Sequence, residues 1–506
     1  NARTTAQGRI KNEKGHVAVM KRKKIRPLAA FLALLLLMGS AGCGKAPKSS
    51  DFITEENLIE TSSMKDAETG AAITGKWNGT KNSSLEIVFP KEVAVNTVVL
   101  REKGASIRAF ELQIPKGDGY ETIYRNDKVD AYRYCAFPEV TTSSLRLTII
   151  DGADFTLEGI EAYRVAGSKP EGFRVTSYVI TDSVYDREAI SDGHFDVITD
   201  AILFGSLVFD QNGNLSFQDK KIDGQQLDGR QVFETALQNV REAVSSRDIR
   251  LYVNLLGPDA PSGIEDWNKS MYAKADLHKA AMSGVNGKNL IQSITQLLDQ
   301  YDLDGVFFDW EYPLRKKDWK VFDQFLLSLD EALGEKRLGI AVQSWAFKAS
   351  RETIEKLDLV EVMTYDMFDE DGYHAPFYPC VVTEINALLK KGLKKEQLDL
   401  GIPFYARPTD RAAQWFDYKT EAEQLGWFGN VATGPQEVTE WQNNAPIQVT
   451  ATSPRYYNGC QMVYDKTAYA MDFGLGGMMV WNYAGDLPYE NGLSLFRAMG
   501  MAATHR

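Results

Sequence analysis

The pattern of apolar and polar positions changes kind near residue 170. Between residues 52 and 166, short runs alternate apolar and polar side chains and stop at turn-forming residues. The clearest are Leu85–Phe89, Thr97–Arg101, Ala109–Ile114 and Ser144–Ile150. Period-two runs at this spacing predict half-buried strands, and no helical period competes, so a β-sandwich is expected over residues 51–166. Ala166-Gly167-Ser168-Lys169-Pro170 reads as a linker. Beyond it, apolar strands alternate with helical stripes, the mark of an α/β fold. Strands are expected at Phe173–Ile180, Ala201–Phe209, Ile249–Leu256, Leu338–Gln343, Leu359–Tyr365, Leu398–Tyr405 and Gly476–Trp481. Helices are expected at Gln231–Ser246, Lys288–Gln300 and Trp319–Leu333; Leu290, Ile291, Ile294, Leu297 and Leu298 form the stripe of the second. With one further strand these units predict a TIM (β/α)₈ barrel over residues 172–504, a fold whose active sites lie at strand C-termini.

That further strand is Leu303-Asp304-Gly305-Val306-Phe307-Phe308-Asp309-Trp310-Glu311-Tyr312-Pro313. It carries acids where a buried strand should carry none, because an unpaired buried carboxylate is costly. Alternation puts Phe307, Asp309 and Glu311 on one face and Val306, Phe308 and Trp310 on the other. Two acids on one face are roughly 7 Å apart at Cα. Either the strand end opens into a site where both act on a ligand, or the acids sit on a solvated edge or cap the next helix.

The run resembles the catalytic strand of glycoside hydrolase family 18, the chitinase and endo-β-N-acetylglucosaminidase family, whose signature is Asp-Gly-x-Asp-x-Asp-x-Glu, often with Tyr-Pro following. Asp304, Gly305, Asp309, Glu311, Tyr312 and Pro313 match it, and Phe307 stands where the middle acid belongs. Met363-Thr364-Tyr365-Asp366, Leu400–Arg407 and Gly476–Trp481 are similar to the family's sixth, seventh and eighth strands. Asn254-Leu255-Leu256-Gly257-Pro258 departs from its usual Ser-x-Gly-Gly. The resemblance implies a retaining hydrolase in which the substrate's own 2-acetamido oxygen attacks and forms an oxazolinium ion, so that the usual second carboxylate is not needed. It implies Glu311 as acid/base, Asp309 as the group that orients the acetamido N–H, and Tyr365 as donor to its oxygen. It places Asp366, Tyr405, Arg407, Asp304 and a floor residue, Trp481, among the substrate-binding residues. Phe307 should leave Asp309 without its usual partner and raise its pKa by desolvation. The implied substrates contain N-acetylglucosamine: chitin oligomers, N-glycan cores or peptidoglycan. A non-catalytic, sugar-binding surface lipoprotein is the alternative. Residues 51–166 resemble discoidin-type, galactose-binding-like domains through Trp77-Asn78, Leu85–Phe89, Val98–Glu102, Arg108–Gln113 and Leu157–Tyr163; such a domain either binds sugar or acts as a spacer.

Composition narrows the remaining choices. A net charge of −12 argues against nucleic acid as a partner. Four cysteines do not make a disulfide framework, and the five histidines show no metal-ligand spacing, so neither metal nor cofactor is expected. A monomer is expected. Residues 1–50 read as upstream sequence, a leader starting at Met20, and a short tether over 44–51. Lys21, Arg22, Lys23, Lys24 and Arg26 precede the apolar run Leu28–Met38 and then Ser40-Ala41-Gly42-Cys43. This is a secretory leader ending in a lipobox-like Cys43, with ordinary cleavage and release as the alternative. The expected location is the outer face of the bacterial cell membrane, lipid-anchored, or the medium. If Cys43 is lipidated, Cys43→Ser should move the protein from the membrane fraction to the medium, because multiple acyl chains anchor stably where one does not. Unmodified wild-type protein recovered from culture supernatant would overturn this.

Overall fold

Eight parallel strands, apolar and buried along most of their length, close into a barrel. They are Arg174–Ile180, Asp200–Phe209, Arg250–Leu256, Gly305–Phe308, Arg337–Val342, Leu359–Val362, Leu398–Pro403 and Gly477–Trp481. Each pairs with the next, and the eighth returns to the first. Helices cover the outside, so both strand faces are buried and the sequence reads as continuous apolar runs. The stripe on helix Gly284–Gln300 buries Leu290, Ile294, Leu297 and Leu298, with Ile291 at its margin. The barrel floor, at the strand N-termini, holds ion pairs: Arg174 with Asp399 at 2.6 Å and Arg250 with Asp200 at 2.7 Å. The computed structural model describes residues 46–166, 169–408, 415–442 and 445–504. Cys43, the leader and linker residues Gly167 and Ser168 lie outside the described residues.

Residues 63–163 form an eight-stranded antiparallel sheet. Its two longest strands, Ser84–Glu102 and Arg133–Gly152, pair with register shifts between Val88 and Val93 and again between Val95 and Thr97. Leu85–Phe89 and Thr97–Arg101, expected as separate strands, are therefore one strand bent by irregularities. Pro90-Lys91-Glu92 looks like a turn in sequence, but extra residues in a bent strand use the same residue types. The sheet has its own core around Trp77, Leu85, Ile87, Phe110, Leu112, Leu147 and Ile149.

Helix Cys460–Phe473 joins this sheet to the barrel. It is buried nearly all round because one side faces the barrel and the other the sheet. Asp465, fully buried, accepts hydrogen bonds from Tyr124 Oη (2.6 Å), Asn126 Nδ2 (3.0 Å), Arg133 Nη2 (3.0 Å), Ala136 N (2.9 Å) and Gln461 Nε2 (3.0 Å). Four of these five donors belong to the N-terminal sheet, which is thus fixed to the barrel by a satisfied buried charge. The chain before the sheet is also packed, contrary to the expected tether up to residue 51. Ser49 is buried, and the Phe52 ring lies 5.9 Å from Tyr469 and 5.3 Å from Phe473. An aromatic side chain at position 52 outweighs the Gly/Lys/Pro/Ser composition just before it.

Asp465→Ala strands the Arg133 guanidinium, which is 1% exposed, inside the interface. The expected cost is about 3–5 kcal/mol in chemical denaturation. Lys81→Ala, at the exposed pair with Asp151, should cost under about 1 kcal/mol. Equal small losses in the two variants would show that the sheet does not depend on Asp465.

Candidate active site

The fourth barrel strand ends at Phe308, and Asp309, Trp310 and Glu311 follow at the barrel mouth. The expected alternation continues past the strand end. Phe307 belongs to the lumen cluster with Tyr178, Tyr252, Tyr365, Tyr405 and Met479, whereas Phe308 and Trp310 pack outward. Trp310 stacks on His278 at 4.5 Å and meets Phe322 at 5.1 Å, which locks the segment and turns its neighbours inward. The Glu311-Tyr312 and Trp481-Asn482 peptide bonds are cis.

Burial pushes the Asp309 carboxyl well above the usual range, with the negative charge of Glu311 adding to it and Lys274 opposing. Its Oδ1 is buried without a hydrogen-bond partner among the described residues. Burial also raises Glu311; Tyr312 and Lys274 oppose this, while Asp366 adds to it. Two acids that share a dry site and repel each other keep at least one proton where an isolated carboxylate would have lost its own.

Tyr365 and Asp366 follow the sixth strand. Tyr365 is buried, and its hydroxyl has a weak contact to Met479 Sδ at 3.9 Å. Asp366 takes a left-handed backbone, φ 56°, and accepts from Tyr405 Oη at 2.9 Å and Arg407 Nη1 at 3.1 Å. Burial alone would raise Asp366, but the His374 ring, 3.4 Å from its Oδ1, followed by Arg407 and Tyr405, more than offsets it and holds it below its ordinary value. Tyr405 stacks on exposed Trp415 at 4.4 Å. Trp481 sits between Tyr178 at 5.3 Å and Phe204 at 4.8 Å, its Nε1 buried and unpartnered. The structure therefore gathers Asp309, Glu311, Tyr365, Asp366, Tyr405, Arg407 and Trp481 at the C-terminal end of the barrel.

Asp304 is not among them. It lies at the N-terminal start of the fourth strand, where its Oδ2 accepts from Leu251 N at 2.7 Å, so the expected substrate-binding role does not hold. A strand of this length separates the two ends of the barrel, and position in a motif does not say which end a residue occupies. Phe307 is accommodated by the next strand: a Cβ on Gly339 would meet the Phe307 ring at 2.1 Å. Asn254, on the third strand, is fully buried with both amide atoms unpartnered. Four site residues escape motif reading. Gln343 Oε1 accepts from Tyr312 Oη at 3.2 Å and Trp345 Nε1 at 2.7 Å. His374 Nε2 accepts from Asp366 N at 3.0 Å, and Trp415 covers Tyr405. Lys274 acts on both carboxyls from an inserted helix, Trp267–Ala281. Gln343 closes the expected fifth strand without a motif to mark it, and the other three come from connecting segments, where no period marks function. Among the described residues no group of three or more His, Cys, Asp or Glu side chains is placed to hold a metal.

The family model for glycosyl hydrolases family 18 matches residues 174–486. Probable chitinase 2 of Drosophila melanogaster is 26% identical over 266 residues, covering 43% of this chain and 54% of that protein. Chitinase A1 of Niallia circulans is 28% identical over 253 residues, covering 38% of this chain and 36% of that protein. The chain thus spans about half the length of the first relative and less of the second. A chitinase structure from Bacteroides thetaiotaomicron shares the barrel fold, with TM-score 0.50 and 18% identity over 66% of this chain and 97% of that one. A family model that covers the whole barrel, on a strand that ends in two buried acids, identifies the chain as a member of glycosyl hydrolases family 18.

Proposed function

We propose that the chain hydrolyses β-1,4 bonds next to N-acetylglucosamine, with retention, and uses the substrate's acetamido group as nucleophile. The observation that carries this is the proton-retaining pair Asp309 and Glu311, buried together at the mouth of the barrel. In this reading Glu311 gives its proton to the leaving oxygen as the C1–O bond breaks and the acetamido oxygen attacks C1. Water then attacks C1, its proton returns to Glu311, and the oxazolinium ring reopens. Asp309 accepts from the acetamido N–H and steadies the cation. Tyr365, whose hydroxyl has a weak sulfur contact among the described residues, donates to the acetamido oxygen. Asp366, Tyr405 and Arg407 hold the sugar and the acid, and Trp481 forms the floor.

Relatives described as chitinases favour chitin-type substrates over N-glycan or peptidoglycan. In this proposal residues 1–50 export and anchor the protein through Cys43, outside the cell. Residues 51–166 are a galactose-binding-like β-sandwich that engages sugar beside the barrel at 172–504. A binding-only surface protein is the second reading, favoured by Phe307, which leaves Asp309 without an inner partner.

Glu311→Gln should lose at least about 100-fold in turnover while sugar binding persists, because it removes only the transferable proton. Near-normal hydrolysis by this variant would exclude Glu311 as the acid, and an inactive wild type that still binds would establish the second reading. Activity should appear on β-linked N-acetylglucosaminides and be essentially absent on matched glucosides with the same leaving group. A ratio near one would refute the acetamido mechanism.

A carboxyl whose folded pKa lies above its unfolded value stabilises the protein at low pH, and that contribution is lost as pH rises through the folded value. Asp309 is such a group. Asp309→Asn should therefore gain about 0.5–2 kcal/mol of stability at pH 7–8 while activity falls, a trade expected of a strained site. The gain should shrink below pH 4. Melting temperatures of both proteins across that range decide it, and a gain independent of pH would contradict the assignment.

A further inference from the structure

The loop that follows Asp366 is held from two directions. Its far end is tied to the barrel: Lys466 Nζ donates to Ala375 O at 2.9 Å and to Asn458 Oδ1 at 2.6 Å. Its tip is tied to the N-terminal sheet. Lys128, in the short connection between strands Gly119–Asp127 and Arg133–Gly152, donates to Asp369 Oδ2 at 2.6 Å and Asp371 Oδ2 at 2.7 Å. Its ammonium also lies 4.9 Å over the Tyr373 ring, and Arg108 pairs with Asp371 at 3.0 Å. Lys128 and Asp369 are 5% and 9% exposed, so this pair is buried and its loss would leave uncompensated charge. Burial opposes the charge on Lys128, but the two carboxylates more than offset it and raise its pKa.

The tip is coupled to the site through the loop itself. Asp369 Oδ1 accepts from Asp371 N at 3.0 Å and Tyr373 N at 2.9 Å, which folds the tip around the carboxylate that Lys128 holds. The next residue is His374, whose Nε2 accepts the Asp366 N–H at 3.0 Å and whose ring lies 5.3 Å from Tyr405. Asp366 and Ala375, which bracket the loop, both take left-handed backbones, φ 56° and 49°, although neither is glycine. Such a conformation persists only where the surroundings enforce it.

We infer that Lys128 of the N-terminal sheet is a positioning residue for the barrel's reaction: through Asp369, Asp371 and His374 it fixes where Asp366 presents its carboxylate to the sugar. This rests on the proposed role of Asp366 in the hydrolase reading. It makes the sheet a part of the catalytic unit, whatever ligand the sheet itself binds.

The test uses the full chain with Lys128→Met, Lys128→Arg and, as an exposed control in the same sheet, Lys81→Met. Two readouts are taken: turnover of a fluorogenic N,N′-diacetylchitobioside, and hydrogen–deuterium exchange of peptides covering residues 366–376. Lys128→Met should lower kcat by about 10–100-fold with a smaller change in KM, the size expected when a positioned group is displaced by an ångström or less. Exchange in the loop should rise. Lys128→Arg, which keeps the charge, should recover most of the turnover, and Lys81→Met should change neither readout. Asp371→Asn, which keeps Lys128 paired with Asp369, should give an intermediate kcat and guards against misfolding of the Met variant. Unchanged turnover and exchange in folded Lys128→Met would overturn the inference. So would a loss that Lys128→Arg fails to recover and that tracks melting temperature alone, since that marks a purely structural role. If wild type proves inactive, the hydrolase reading fails by itself. Exchange and chitotetraose affinity then decide the inference: both altered in Lys128→Met supports it, and neither altered ends it.

Discussion

The cost of taking a carboxylate out of water governs this molecule, and the chain meets it in two ways. Where a carboxylate serves structure, a cation and several N–H or O–H donors accompany it. Asp465 has Arg133 and four further donors, and Asp399 has Arg174. Burial still raises both, Asp465 to about 6, and the paired cation opposes that push. Where no cation bonds directly to the carboxyl, less opposes burial and the proton is held more easily. Glu361, below the site, has both oxygens unpartnered and is raised by burial and by Asp399. Asp309 and Glu311 follow the second course at the mouth of the barrel, where a retained proton can be passed to a leaving group. Asp366 lies between these cases: His374, Arg407 and Tyr405 together hold it below its ordinary value beside the pair. One site thus holds a protonated acid and an ionised one because their surroundings differ, with no difference in residue type required.

The same constraint welds the two halves of the chain. Asp465 and Lys466 are neighbours on helix Cys460–Phe473 and point apart, the first into the N-terminal sheet and the second towards the loop after Asp366. Burial lowers the Lys466 pKa to about 7, which carbonyl and amide acceptors do not fully repair. A helix that buries opposite charges on adjacent residues needs both neighbours in place, so the sheet, the helix and the site loop stand or fall together.

Much of this was legible in the sequence, for identifiable reasons. The change from period two to alternating strands and helices marks the border between sheet and barrel, and the eight barrel strands lie within a few residues of where apolar runs place them. Alternation places Phe307 in the lumen and Phe308 and Trp310 on the outer face, as expected. Asp304 misled because it shares the motif but sits at the other end of the strand. Lys128, His374, Gln343 and Trp415 were invisible: a lone residue in a connection or at the end of a strand carries no period, and its partner cannot be read from spacing.

Phe307 shows why a departure from a family motif needs its neighbours before it can be read. In sequence it looks like the loss of an acid. In the barrel its ring fills the volume that a side chain at position 339 would take, and Tyr252 meets it edge-on at 5.3 Å. The exchange is therefore a repacked lumen layer, apolar where an acid would have brought another buried charge. Its electrostatic consequence falls on Asp309, which burial and the charge of Glu311 raise against Lys274. An Asp309 that keeps its proton can still accept from an N–H through its carbonyl oxygen, but it stabilises a cation less than a carboxylate does. The apolar layer thus leaves the ionisation of Asp309 to burial and to its charged neighbours, with Glu311 opposing it and Lys274 favouring it.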